Sequence, residues 1–291
     1  MNDYDQASRY AAKLNAPGFL RWLLGGQTPL RFREWYDTAN APLPGGEDRT
    51  SDTIALMDNT EDPEEPFALA VEFETENDVE IMERELEYLA IIRRRLRRQS
   101  FKVVGALVNL TGTEQNSSLE MLLPGQPDVG IRLALKLRTL RNEEAGALVD
   151  AISAGRQARC LLPWIPLMRD GGEPAIIERW KEIAGAEPDA KMRSDYGVLA
   201  KTFARLKDYA DVWLQALKEW NVIESPYLNE ERLQVQREDL RSVIEARFQA
   251  PCPPELVSAI EHSTDRAELR RWLVAVVSAP TLEAYRAAIG R

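Results

Sequence analysis

Residues 67 to 74 read FALAVEFE, and the fold turns on how this stretch is laid down. As a β-strand it alternates faces. Phe67, Leu69, Val71 and Phe73 share one face, which is apolar and belongs in a core. Ala68, Ala70, Glu72 and Glu74 share the other, which is small and then acidic. That second face leaves a hollow beside two carboxylates. Two readings stand at this point: a strand end running out into solvent, or a strand that delivers acids to a site.

The preceding run, SDTIALM at 51 to 57, is a candidate partner strand, separated from FALAVEFE by the polar, proline-containing loop DNTEDPEEP. If Met57 and Phe67 close an antiparallel hairpin, Asp52 falls opposite Glu72. Opposite residues in such a pair project to the same face about 4.5–5.5 Å apart. Asp52, Glu72 and Glu74 then form one cluster. Like charges placed opposite repel, so the cluster calls for something positive. Hard carboxylate oxygens suit Mg2+ or Mn2+. A one-residue slip would move Asp52 to the core face and remove the cluster.

Outward from the hairpin, residues 78 to 98 predict one long helix, with Val79, Met82, Leu86, Leu89, Ile92 and Leu96 stepping by three or four along one face. FKVVGALVNL, 101 to 110, has the apolar density of a buried strand, and SLEMLLP and GIRLALKLRTL suggest further strands. Upstream, residues 4 to 24 read as helix, broken near Ala16-Pro17-Gly18 and ended by Gly25-Gly26. Residues 30 to 37 fit a strand or a short helix, and 41 to 50 a loop. From Asn142 on the pattern is helical almost throughout. The chain is therefore an α/β protein: residues 1–145 form a core with a mixed sheet flanked by helices, and 146–291 an all-α C-terminal region.

Composition excludes several chemistries. Cys160 and Cys252 are the only cysteines, far apart and outside any CxxC pattern, which argues against a disulfide framework or a structural zinc site. His262 is the sole histidine, so a Ser–His–Asp triad or a His pair is out of reach. It reads as a surface or capping residue. The five tryptophans from Trp164 on read as core. No stretch approaches the roughly 20 apolar residues of a membrane span, and the polar, acidic MNDYDQASRY has no signal-peptide pattern, so the expected location is cytoplasmic. Net charge is −10, against nonspecific adhesion to nucleic acid, but RRRLRRQSFK at 93 to 102 is a local basic run. Arg93, Arg94, Arg95, Arg97, Arg98 and Lys102 either track a phosphate backbone or form a solvated helix end suited to the macrodipole.

The order aspartate, then Glu-x-(Lys/Gln/Glu) closing the next strand, then a long helix resembles the PD-(D/E)xK nucleases. Here it stands as Asp52, Glu72-Phe73-Glu74 and the helix from Asp78. More narrowly, the chain resembles the Rpn (YhgA-like) group of recombination-promoting nucleases and transposases. That group has a Glu-[His/Phe]-Gln stretch followed by a helix with an Arg-x-x-x-Tyr pair, matched by Arg84 and Tyr88. DYDQASRYAAKL with FLRWLL resembles the group's first helix, PGGEDRTSDTIA its approach to the aspartate, and VIEARFQAPCPPELVSAI its helical C-terminal region. The likeness covers most of the chain.

The resemblance implies a restriction-endonuclease-like core and metal-dependent DNA endonuclease activity linked to recombination or mobile elements. Asp52 and Glu72 would hold Mg2+ or Mn2+, and Glu74 would position or deprotonate a water. Arg84 and Tyr88, one turn apart, would face the phosphate, brace the carboxylates or simply pack together. Arg93, Arg94, Arg97, Arg98 and Lys102 would meet DNA. DNA is the expected partner, with a homodimer allowed and no membrane. Glu74 departs from the group, where most members have glutamine and more distant nucleases lysine; some restriction enzymes carry glutamate there. The alternative is a catalytically inactive nuclease-like module for DNA binding or protein interaction.

Overall fold

The computed structural model describes residues 3–26, 28–36, 53–112, 115–223 and 225–290. Asp52 and the loop expected at 41 to 50 lie outside the described residues. The chain divides into two compact units, one ending at Ile223 and one covering the residues after it.

The first unit opens with helices α1 (Asp3–Lys13) and α2 (Ala16–Leu24). The break expected near Ala16-Pro17-Gly18 comes slightly earlier. Asn15 caps α2 through its side chain, accepting from Gly18 N at 2.9 Å, and Pro17 sits in the first turn, where its missing N–H is harmless. Gly25 ends the helix at φ +91°, and the Gly25 and Gly26 amides donate back to Trp22 and Arg21 carbonyls, a closure that favours glycine.

A mixed five-stranded sheet follows, ordered β1-β2-β3-β4-β7. Its strands are β1 (Leu30–Trp35), β2 (Ile54–Asn59), β3 (Phe67–Glu74), β4 (Lys102–Asn109) and β7 (Lys136–Thr139), and α3 (Ile81–Leu96) joins β3 to β4. β1, β2 and β3 pair antiparallel; β4 runs parallel to both β3 and β7. The stretch that fitted strand or helix, residues 30 to 37, contributes the edge strand β1. The run GIRLALKLRTL is shared between two sheets: β6 (Gln126–Ala134) pairs with β5 (Ser118–Leu123) in a separate hairpin, and after Leu135 the chain enters β7.

The described strand residues reproduce the hairpin register assumed from sequence. Met57 faces Phe67, Leu56 faces Ala68, Ala55 faces Leu69 and Ile54 faces Ala70. One step further, Val71 N donates to Thr53 O at 2.9 Å.

Both faces of the sheet are covered. The Leu69/Val71/Phe73 face meets an aromatic stack in which the rings of Phe19, Phe73 and Phe203 each lie 4.9–5.8 Å from Trp164 by centroid. Trp164 belongs to a 3-10 segment, Arg159–Leu167, buried from Cys160 on despite Pro163 and Pro166. The Ala68/Ala70 face, read as a hollow, is filled instead: Ile81, Met82, Leu89, Ile92 and Leu96 of α3 pack there with Leu107 and Leu135. The stripe is shifted from the sequence reading. Val79 precedes the helix and is 93% exposed, and the buried position between Met82 and Leu89 belongs to Glu85, not Leu86.

Helices α4 (Ala145–Ser153), α5 (Pro174–Gly185), α6 (Ala190–Ala204) and α7 (Ala210–Ala216) complete the unit. The line drawn near residue 145 separates the sheet from these helices and runs inside the first compact unit. α6 packs against α1, and Tyr10 OH donates to the buried carboxylate of Asp195 at 2.9 Å. Trp180 and Trp213 meet edge-on at 5.4 Å and each donates its indole N–H to a carbonyl, so both are core, as read from the sequence.

The second unit is helical: α8 (Pro226–Phe248), α9 (Pro254–His262), α10 (Arg266–Ser278) and α11 (Leu282–Ile289). Leu240, Ile244, Leu256, Ile260, Trp272 and Tyr285 form its core. His262 closes α9 on the surface, its Nδ1 2.7 Å from Ser258 O. Cys160 and Cys252 are free and buried. Among the described residues no helix is long and apolar enough to cross a membrane.

Candidate functional site

β3 is the central strand, hydrogen-bonded on both sides, so the positions of its side chains are set by the sheet. Alternation sends Glu72 and Glu74 to the α3 side at the strand's C-terminal end. Their parallel partners on β4 are Leu107 and Asn109. The turn beyond is tied down by polar side chains. Fully buried Asn109 donates to Asn77 Oδ1 at 3.1 Å and accepts from Gly112 N at 2.6 Å. Thr111 Oγ1 donates to Thr75 O. Gln115 clamps the Asp78 backbone, accepting from its N–H at 3.0 Å and donating to its C=O at 2.7 Å. These bonds fix where α3 begins.

The first turn of α3 then brings Arg84 over the strand end. Its guanidinium pairs with Glu74 and, at 2.6 Å, with Asp78. Of the roles open to Arg84 from sequence, bracing a carboxylate is the one observed. Tyr88, one turn on, packs beside the core under α3.

One residue of the site was not read from the sequence. Glu85 is 2% exposed, and its Oε2 has no hydrogen-bond partner among the described residues. It faces β4 at Gly105, where an added Cβ would lie 3.5 Å from that oxygen and only 2.6 Å from Leu135 Cδ2. The signal was in the helical spacing: 81, 85, 89, 92 and 96 form one stripe, and Glu85 is its charged member.

Glu72 is pushed up to about 8, by burial first, then by the charges of Glu85 and Glu74; Arg84 and Arg9 oppose the shift. Glu85 is pushed up to about 7, again chiefly by burial, with Arg84 opposing and Glu74 adding. Burial also raises Glu74, against the pull of Arg84. At all three acids desolvation outweighs the pull of the nearby positive charge.

The structure pairs Glu74 with Arg84, and the charges of Glu85, Glu74 and Arg84 act on Glu72. Asp52 lies outside the described residues. Among the described residues, no group of three or more His, Cys, Asp or Glu is gathered to hold a metal ion. The basic run sits elsewhere. Arg93, Arg94, Arg97 and Arg98 are exposed at the C-terminal end of α3, roughly 12–20 Å along the helix from Glu85 at 1.5 Å per residue. Lys102 begins β4 beside Phe67, at the opposite end of β3 from Glu72, and pairs with Glu65.

Comparison of the chain with protein-family models, curated proteins and solved structures finds no match in any of the three.

Proposed function

We propose that the protein is a metal-dependent DNA endonuclease of the PD-(D/E)xK type, resembling the Rpn group, that hydrolyses phosphodiesters at the end of β3. The observation that carries this reading is the half-buried Glu72 at the end of the central strand, whose carboxyl is pushed up by desolvation and by the charges of Glu85 and Glu74. A structural charge has no need of such a place, because an apolar side chain would fill it at lower cost. The register from Thr53–Val71 to Met57–Phe67 supports it, being the one on which the pairing of Asp52 with Glu72 was built.

The donor set fits a hard divalent cation: desolvated carboxylates with a deficit of nearby positive charge. Asp52 and Glu72 would hold Mg2+ or Mn2+. Bound there, the ion lowers the pKa of water and stabilises charge developing on phosphate. Glu74 orients the attacking water and takes its proton, a role that the burial-raised affinity of its carboxylate for protons favours. Arg84 holds Glu74 in place through their ion pair. Arg93, Arg94, Arg97, Arg98 and Lys102 contact the DNA backbone away from the cut, which gives salt-dependent affinity without sequence preference. The reading puts the protein in the cytoplasm, with DNA as its partner.

A second reading has one observation in its favour. Glu74 is engaged by Arg84, which already holds Asp78; a carboxylate so occupied fits a catalytically inactive module that binds DNA or protein. Nicking of supercoiled plasmid with Mg2+ or Mn2+ separates the two. The endonuclease nicks as wild type and loses activity as Asp52→Ala and as Glu72→Ala. Equal nicking by all three overturns the assignment, and DNA binding without nicking in the wild type establishes the inactive module.

A further inference from the structure

We propose that the cleft between α5 and the turn after α7 binds a nucleoside phosphate, free or as the end of a single nucleic acid strand, with the base on Trp220 and the phosphate between Lys181 and Lys218. The cleft has a volume of about 420 Å3 and is lined by Lys181, Gln215, Ala216, Lys218, Glu219 and Trp220. It shares no residue with the acids at the end of β3 and does not rest on the endonuclease reading.

Trp220 is held as a platform. Of the five tryptophans from Trp164 on, the other four are at most 5% exposed, and Trp220 alone is half-buried. Its indole N–H donates to Arg193 O at 3.0 Å, and its ring lies 5.3 Å from that of Trp180 by centroid. Against α6 the ring takes the place of a side chain: a Cβ at Gly197 would come within 2.2 Å of Trp220 Cδ1. Glycine weakens a helix interior, and here it lets the ring sit on the helix backbone. The turn carrying Trp220 is closed by amide-to-carbonyl bonds of 3.0–3.2 Å from Leu217 to Trp213, Lys218 to Gln215 and Trp220 to Leu217. With its N–H engaged, the indole offers the cleft a π surface, on which any base stacks.

The polar lining decides the class of ligand. Lys181 and Lys218 outnumber Glu219, so the cleft favours an anion. Lys181 Nζ meets Glu178 at 3.0 Å in a surface pair along α5, a weak tie that a phosphate displaces. Lys218 is exposed and has no ion pair among the described residues. Gln215 and Glu219 bring an amide and a carboxylate, which accept from the amino groups and hydroxyls of base and sugar. The volume falls in the range of about 300–1,000 Å3 typical of small-molecule pockets, which fits one nucleotide and not a duplex. An aliphatic anion would leave the aromatic platform unused, and an uncharged base would leave the two lysines unused.

The test is fluorine magnetic resonance of the full chain carrying fluorinated tryptophan, with the Trp220 signal assigned by Trp220→Phe. Deoxyadenosine monophosphate, a short phosphorylated oligodeoxyadenylate, deoxyadenosine and inorganic phosphate are titrated in turn, without divalent metal. The expected result is that the Trp220 signal shifts with the mononucleotide or the oligonucleotide, responds at least about fivefold more weakly to deoxyadenosine, and does not move with inorganic phosphate. Lys181→Gln combined with Lys218→Gln, two changes outside the core, should weaken nucleotide binding at least about fivefold, while Lys191→Gln, at an exposed lysine of α6, should leave it unchanged. Tighter binding of the oligonucleotide assigns the site to a strand end, and equal or weaker binding assigns it to a free nucleotide. No shift of the Trp220 signal with either nucleotide, or equal affinity in wild type and the double lysine variant, overturns the proposal.

Discussion

Two partly buried charge clusters sit at the same sheet and are built in opposite ways. On β7, Arg138 makes two bonds to Glu143 at 2.6 and 2.7 Å, donates to Trp22 O at 2.5 Å, and lies with its guanidinium carbon 4.1 Å from the Trp22 ring centroid. Opposite charge, hydrogen bonds and a π face are all supplied by the chain itself. At the end of β3, Glu72 faces the like charge of Glu85 on α3 and of Glu74, and Glu85 Oε2 has no hydrogen-bond partner among the described residues. The first cluster pairs opposite charges and joins α2 to the sheet, with Arg138 Nε alone lacking a hydrogen-bond partner among the described residues. Opposite charge in one cluster and like charge in the other is the difference between them.

The contrast can be broken most severely at Arg138. Arg138→Met leaves Glu143 without its partner and should cost about 3 kcal/mol in urea unfolding followed by tryptophan fluorescence. Adding Glu143→Gln should recover part of that loss, which a double-mutant cycle measures.

At β3 the sign reverses. The Glu72 pKa is raised from 4.5 to about 8 on folding. Between those values the folded chain keeps a proton that the unfolded chain has released, so stability is full at low pH and falls as pH rises. In chelator-containing buffer, stability should drop by on the order of 2 kcal/mol between pH 5 and pH 9. Glu72→Gln should flatten that slope and raise the unfolding midpoint at pH 9. Glu85, also raised, keeps part of the slope below about pH 7; an undiminished slope would place the titration elsewhere.

The smallest effect is expected at Arg84, whose side chain is 44% exposed. Arg84→Ala should change stability by less than about 1 kcal/mol while lowering nicking sharply. A large stability loss with unchanged nicking would make Arg84 a structural brace.

The β2–β3 hairpin was legible because its signals agree: a polar, proline-containing loop closes at Met57 and Phe67, and strict alternation fixes which face carries Glu72. Glu85 was not read because a charged residue in a helical run is assigned by default to solvent, and Leu86, one position away, offered itself for the stripe. β1 stayed open between strand and helix because LRFREW is short, and pairing with β2 is what settles an edge strand. The Arg159–Leu167 segment carries the centre of the aromatic stack, but its two prolines suppress any helical or strand period. The basic run is plain in sequence; its distance from the acids depends on the length and direction of α3, which composition does not convey.

The bond from Tyr10 to Asp195 spans 185 residues. At about 5–20 residues per second of synthesis, roughly 10 to 40 s separate the appearance of the two ends. Throughout that interval α1 lacks the helix it packs against, and Ala7, Ala11 and Ala12, fully buried in the finished unit, have no α6 to meet. The N-terminal helix is thus made early and docks late, and while it waits it is a surface for chaperones or for the wrong neighbour.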